Sequence, residues 1–100
     1  MFIAMNRFRI VLGREAEFIE VWRQRDSRLN EVPGFQSFNL LQGASDAEGT
    51  TFVSHSTWEN GAAFEAWTRS EAFRAAHGGA GAKRDLYLGP PKFEGFEAVL

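Results

Sequence analysis

Residues 2–12, Phe2-Ile3-Ala4-Met5-Asn6-Arg7-Phe8-Arg9-Ile10-Val11-Leu12, change character at every second position. That period commits the segment to a β-strand, whose successive side chains point to opposite faces. The odd face carries Arg7 and Arg9, so the even face, with Phe2, Ala4, Phe8, Ile10 and Leu12, is the one expected to point inward. Asn6 interrupts that apolar face at its middle. Asn is depleted in strands, and a buried amide without a partner costs about 1–3 kcal/mol. Something must satisfy it, and a bound ligand is one candidate.

One hundred residues accommodate a single domain with one core. A domain of this size often gains stability by dimerising. Ten Phe, three Trp and one Tyr are generous for the length and suggest an aromatic-lined pocket or an apolar subunit interface in addition to the core. The net charge of −2 offers nucleic acid no electrostatic support. No cysteine is present, which excludes disulfides, thiolate metal sites, iron–sulfur clusters and a Cys nucleophile. No basic, then apolar, leader opens the chain, and no apolar run approaches the roughly 20 residues of a membrane span. A cytoplasmic protein without a membrane partner is the expectation.

After the first strand, Phe18, Val21, Trp22, Arg25 and Leu29 fall on one face of a helix predicted over 14–29, with Glu15 and Glu17 at its positive start. Val32-Pro33-Gly34 ends that unit with turn chemistry. A strand is expected over 35–42, a polar hairpin loop over 43–49 and a third strand over 50–58. The faces of that third strand cannot be ranked, because Phe52 and Trp58 lie opposite Val53 and His55. Asn60 suits the N-cap of a helix over 61–68 carrying Phe64 and Trp67. Ser70 suits the cap of a further short helix ending at His77 before Gly78-Gly79. A loop of small and charged residues over 80–91 leads to a last strand over 93–100. The order β-α-β-β-α-β is the ferredoxin-like α+β arrangement, an antiparallel sheet with helices on one face. Its other face needs a cover, and a second subunit is the usual one.

With Asn6 on the first strand, the segment Phe64-Glu65-Ala66-Trp67-Thr68-Arg69-Ser70-Glu71-Ala72-Phe73-Arg74-Ala75-Ala76-His77 and the closing strand, the chain resembles the IsdG-type heme-degrading monooxygenases. These belong to the antibiotic-biosynthesis-monooxygenase superfamily of dimeric α+β barrels. The resemblance spans essentially the whole chain as one domain, 1–100. Val32-Pro33-Gly34-Phe35 and the Phe-x-x-Trp helix are shared across the superfamily, whereas Asn6, Trp67 and His77 are specific to the heme-degrading branch. The resemblance implies His77 as axial ligand to heme iron, Trp67 pressing the porphyrin out of plane, and Asn6 donating a hydrogen bond on the distal side. Heme would be both cofactor and substrate, opened with O2 and release of iron. The electrons would come from an external reductant or reductase, since the chain carries no flavin or nicotinamide motif. A homodimer is implied as well.

The chemistry of the three side chains is compatible with those roles. A His beside the free carbonyls of a helix end can give up its Nδ1 proton to one of them and leave Nε2 for a metal. Imidazole is a usual axial heme ligand. Asn offers donor and acceptor without charge. Each residue also has a structural reading. His77 can be a capping or surface histidine, Trp67 core filling beside Phe64, and Asn6 a partner for backbone at a bulge or a bridge across a dimer interface. His55 is read as structural, and Trp22 and Trp58 as core or interface. Lys83 or Arg84 could meet heme propionates or simply be solvated. The competing functions are a cofactor-free monooxygenase on a phenolic or quinone-like substrate, a non-catalytic heme-binding protein, and a dimeric module without chemistry.

Overall fold

The computed structural model describes residues 1–25, 28–70 and 85–100. Four strands form one antiparallel sheet in the order β2-β3-β1-β4: β1 is Phe2–Val11, β2 Phe35–Ser45, β3 Gly49–Trp58 and β4 Lys92–Glu97. Helix α1, Glu15–Arg23, follows β1, and α2, Gly61–Thr68, follows β3. This is the expected ferredoxin-like α+β fold.

The alternation of β1 is realised as anticipated. Ala4, Phe8 and Ile10 are buried against the helices, while Arg7 is exposed on the opposite face. Leu12 corrects the expectation. It lies beyond the strand end and is 47% exposed. The even positions of β3 take the inner face, with Thr50, Phe52, Ser54, Ser56 and Trp58 all buried. Pairing with β1 decides this, because directly opposed residues share a face and Phe8 opposes Phe52.

The helix predicted over 14–29 stops at Arg23, where the Gln24 N–H donates to the Glu20 carbonyl. Arg28 adopts a left-handed φ of 51° and a 3₁₀ turn covers Leu29–Glu31. Phe18 belongs to one core cluster, with Phe8, Ile10, Phe52 and Leu86, and Leu29 to another, with Ala4 and Trp58. The left-handed turn redirects the chain between these two destinations.

β2 extends past the expected 35–42, and its hairpin loop shrinks to residues 46–48. Asp46 closes that loop, its Oδ1 accepting from the N–H groups of Glu48 (2.9 Å) and Gly49 (3.0 Å). α2 begins as expected, the Asn60 Oδ1 accepting from the Ala63 N–H at 2.9 Å. Gly34, at φ +83°, lets the preceding turn lie against α2, since a Cβ there would come within 2.5 Å of the Ala63 Cβ. The segment expected to be a loop over 80–91 contributes to the core in its described part. Leu86 is fully buried, and Tyr87 bridges to Ile10. β4 ends at Glu97 rather than at residue 100, because β1 offers no partner before Phe2, and the Ala98 N–H bonds the Met1 carbonyl.

The sheet face away from the helices carries Ile3 and Met5 of β1, Val53 and His55 of β3, Leu41 of β2 and Phe96 of β4. Leu41 and Phe96 are exposed there. Arg7 pairs with Glu94 at 2.6 Å on the same face.

Candidate active site

The helix-facing side of the sheet is built in rows. At one end Phe2, Trp58 and Phe35 lie side by side, and at the other Phe8 and Phe52. α2 packs over the first group through Phe64, whose ring lies 5.5 Å from Phe2 and 5.6 Å from Trp58. α1 packs over the second through Phe18, 5.4 Å from Phe8 and 4.9 Å from Phe52. Between the two lie rows whose β1 and β3 positions are small or polar. Gly95, Ala4, Ser56 and Phe38 form one, and Phe93, Asn6, Ser54 and Leu40 the next. The two aromatic clusters are therefore separated on β1 and β3 by a polar floor, Asn6 and Ser54 with Ala4 and Ser56 beside them.

Asn6 stands on that floor. It is half-buried, and among the described residues its side chain makes no hydrogen bond. Ser54, directly opposite on β3, is 7% exposed and its hydroxyl is likewise without a hydrogen bond among the described residues. Ser56 is engaged, accepting from the Trp58 indole N–H at 3.0 Å.

Phe93 flanks Asn6 on the β4 side and stacks on Phe64 with centroids 5.5 Å apart and planes 6° apart. Phe64 in turn meets Trp67 at 6.1 Å. Trp67 packs at 5.5 Å on Trp58 and borders a cleft of about 540 Å³ between α2 and the turn Val32-Pro33-Gly34. Asn6 and Trp67 are thus linked through two phenyl rings. Trp67 has the core contacts its helix spacing suggested and also lines that cleft. His77, with Lys83 and Arg84, lies outside the described residues.

On the α1 side, Trp22 stacks on Phe38 at 5.5 Å and meets Phe8 edge-on at 5.8 Å, joining the two clusters at their β2 end. The Arg25 guanidinium lies 3.9 Å over the Trp22 ring. Burial pushes its pKa down from the ordinary arginine value, and burial pushes Tyr87 up, the Arg25 charge partly opposing this. Arginine stays protonated across the physiological range, so a half-buried cation stands beside this end of the floor. Arg25 also borders a second cleft of about 490 Å³ with Phe35 and Phe38.

Sequence reasoning put Asn6 on the inner face of β1 and Trp67 on the packed side of α2, where the structure has them, and did not single out Ser54, Phe93 or Arg25 near them. Ser54 and Ser56 between Phe52 and Trp58 were the available signal, but it depends on knowing which face of β3 is inside. His55 lies on the opposite face of the sheet, away from the floor, as a structural reading requires. Trp58 is core to one cluster, and Trp22 packs against the other, beside Phe8 and Phe18. Among the described residues no group of three or more His, Cys, Asp or Glu could hold a metal ion by itself. The floor's chemistry is that of a neutral donor and acceptor pair beneath aromatic walls.

Comparison with known proteins gives this arrangement its context. A heme-degrading monooxygenase of Shouchella clausii is 33% identical over 89 residues, 89% of this chain and 82% of that protein. The heme-degrader MhuD of Mycobacterium tuberculosis, solved with two hemes bound in its active site, superposes with a TM-score of 0.75 at 30% identity. The match covers 100% of this chain and 97% of MhuD. SnoaB, a cofactor-independent oxygenase of Streptomyces nogalater, superposes at 0.69 with 25% identity over 99% of this chain and 93% of its own. The model of the antibiotic biosynthesis monooxygenase family matches residues 1–79. The chain belongs to the antibiotic biosynthesis monooxygenase family.

Proposed function

We propose that the protein is a heme-degrading monooxygenase that takes heme as substrate and opens its ring with O2 and electrons from an external donor. The observation that carries this reading is the floor of Asn6 and Ser54 between two aromatic clusters. A porphyrin is flat and apolar over most of its area, so it suits a slot with aromatic walls. It also needs a few uncharged polar groups where oxygen is to be handled, and Asn6 supplies one. Similarity to two heme-degrading relatives at 30–33% identity supports the same substrate.

The residues present fit heme. Phe64, Phe93 and Trp67 would contact the macrocycle, and the half-buried Arg25 cation suits the carboxylate side chains of a dianionic ligand. His77 would be the iron ligand. When bound, heme supplies the redox-active iron and the carbon that is oxidised. The protein's part is to exclude water with the aromatic walls, orient the ring, and present the Asn6 carboxamide as a donor that cannot release a proton to bound oxygen. Pairing of two copies through the open sheet face would cover Ile3, Met5, Val53 and Phe96 and complete a dimeric α+β barrel.

An anaerobic hemin titration, followed by air and ascorbate with catalase present, tests this. A Soret shift saturating at one heme per subunit, then loss of that band with a new bilin absorbance, is expected. Saturable binding without loss, with any donor supplied, would make the protein a heme carrier. The second reading, a cofactor-free oxygenase on a phenolic substrate, is favoured by the likeness to SnoaB. Absence of hemin binding would bring it forward.

A further inference from the structure

Ser56 and Trp58 are two apart on β3, share its inner face and are both buried. The Trp58 indole N–H, which can only donate, gives its hydrogen to the Ser56 Oγ at 3.0 Å. The Ser56 hydroxyl turns its own hydrogen toward the Ala4 carbonyl, 3.5 Å away on the paired strand. Ser56 faces Ala4 on β1 and Phe38 on β2, neither with a polar side chain, so the indole is what its oxygen serves. Around the same indole stand the rings of Phe35, Phe64 and Trp67, with centroids at 5.5, 5.6 and 5.5 Å. Aromatic contacts tolerate sliding and tilting, whereas a hydrogen bond weakens steeply with angle. The χ2 torsion of tryptophan has two broad wells, and a half-turn between them carries Nε1 away from Ser56. Trp67 rests on the indole so oriented, its plane 32° from that of Trp58, and borders the cleft between α2 and the turn Val32-Pro33-Gly34.

We infer that Ser56 is a positioning residue, whose hydroxyl fixes the Trp58 indole and through it the tilt at which Trp67 meets a bound substrate. Neither Ser56 nor Trp58 touches the substrate in this arrangement; Trp67 does. The inference rests on the reading of Trp67 as the side chain that presses on the substrate ring, while the relay from Ser56 to Trp67 is independent of which substrate that is.

The test separates the two. In the ligand-free protein the two indoles are close enough for their transitions to couple, so the far-ultraviolet circular-dichroism couplet reports their mutual angle. The part of it lost in Trp67→Phe belongs to the pair. NMR follows the Trp58 Nε1–H proton. Ser56→Ala is expected to change the couplet, shift that proton and speed its exchange at least about tenfold, while Ser56→Thr, which keeps the hydroxyl, retains all three. Should Ser56→Ala fail to fold, Ser56→Cys, similar in volume but a weak acceptor, is read in its place. An unchanged couplet without the hydroxyl, or a Ser56→Thr protein that behaves like Ser56→Ala, overturns the positioning role whatever the substrate. Hemin titration of the wild type reports on the heme reading alone, since failure to bind would remove heme and leave the couplet result standing. Given binding, Ser56→Ala should show a flatter heme by resonance Raman and lose the Soret band at least about threefold more slowly, with hemin affinity within about twofold of wild type. Ser56→Ala/Trp67→Phe should be no flatter and no slower than Trp67→Phe. Wild-type distortion and turnover in Ser56→Ala, or an additive loss in the double variant, would overturn the action through Trp67.

Discussion

Phe93 of β4 and Phe64 of α2 lie face to face, their centroids 5.5 Å apart and their planes within 6°. Phe93 is the β4 neighbour of Asn6, so this stack ties α2 to the sheet at the row where the candidate catalytic amide stands. Phe93 is 52% exposed, and the stack on Phe64 covers part of its ring. Phe93→Ala should cost about 1–2 kcal/mol, less than a fully buried Phe, and loosen the contact between β4 and α2. Chemical denaturation measures the first effect, and a several-fold weaker hemin affinity the second. Unchanged values of both would show that the stack organises nothing.

Asn6→Ala should bind hemin within a few-fold of wild type and degrade it at least tenfold more slowly. Stability should change by less than about 1 kcal/mol, since the amide has no hydrogen-bond partner to lose among the described residues. A large stability loss with normal turnover would return Asn6 to a structural role.

His77→Ala should abolish degradation and weaken hemin binding by tenfold or more, with a changed Soret position. An unaltered Soret band and unaltered turnover would remove the ligand assignment. Trp67→Phe keeps an aromatic ring against Trp58, and so should preserve folding while giving a flatter heme by resonance Raman. Distortion signals identical to wild type would count against Trp67 as the ring-bending residue.

Val53→Asp places a carboxylate in the middle of the open sheet face, beside Met5, Arg7 and Leu41. If two copies pair through that face, the variant elutes as a monomer in size-exclusion chromatography with light scattering while the wild type elutes as a dimer. A dimeric Val53→Asp protein would place the interface elsewhere.

Asp46 carries a pH dependence with a definite sign. Its carboxyl pKa is lowered from 3.8 to about 2, first by the Gly49 and Glu48 N–H groups and then by Arg9. The folded state therefore binds this proton less readily than the unfolded one. The contribution is complete above the unfolded value near 3.8 and is lost as pH falls through about 2. The difference in stability between wild type and Asp46→Asn should accordingly be constant above pH 5 and shrink between pH 4 and pH 2. A difference that persists at pH 2 would assign the effect to hairpin geometry rather than charge.

Much of the frame follows from local patterns. The period of two places Asn6 on the inner face of β1, the Asn60 cap starts α2 at Gly61, and the spacing of Phe64 and Trp67 puts both on its packed side. These are readable because each depends on residues within a few positions of one another. What the chain could not announce locally depends on pairing over long separations. Register with β1 turns Ser54 inward and sets it opposite Asn6, 48 residues away in sequence by subtraction of their numbers. The end of α1 at Arg23 reflects the need to bring Leu29 to a different core cluster from Phe18, which no helical periodicity encodes. Leu86 and Phe93, in segments that look like a charged loop and a plain strand, join the core and the site wall because β1 is the central strand they return to. The sequence alone determined where a polar group interrupts the inner face. Only the tertiary structure decided what faces it, because a strand's inner side is set by its partner and not by its own composition.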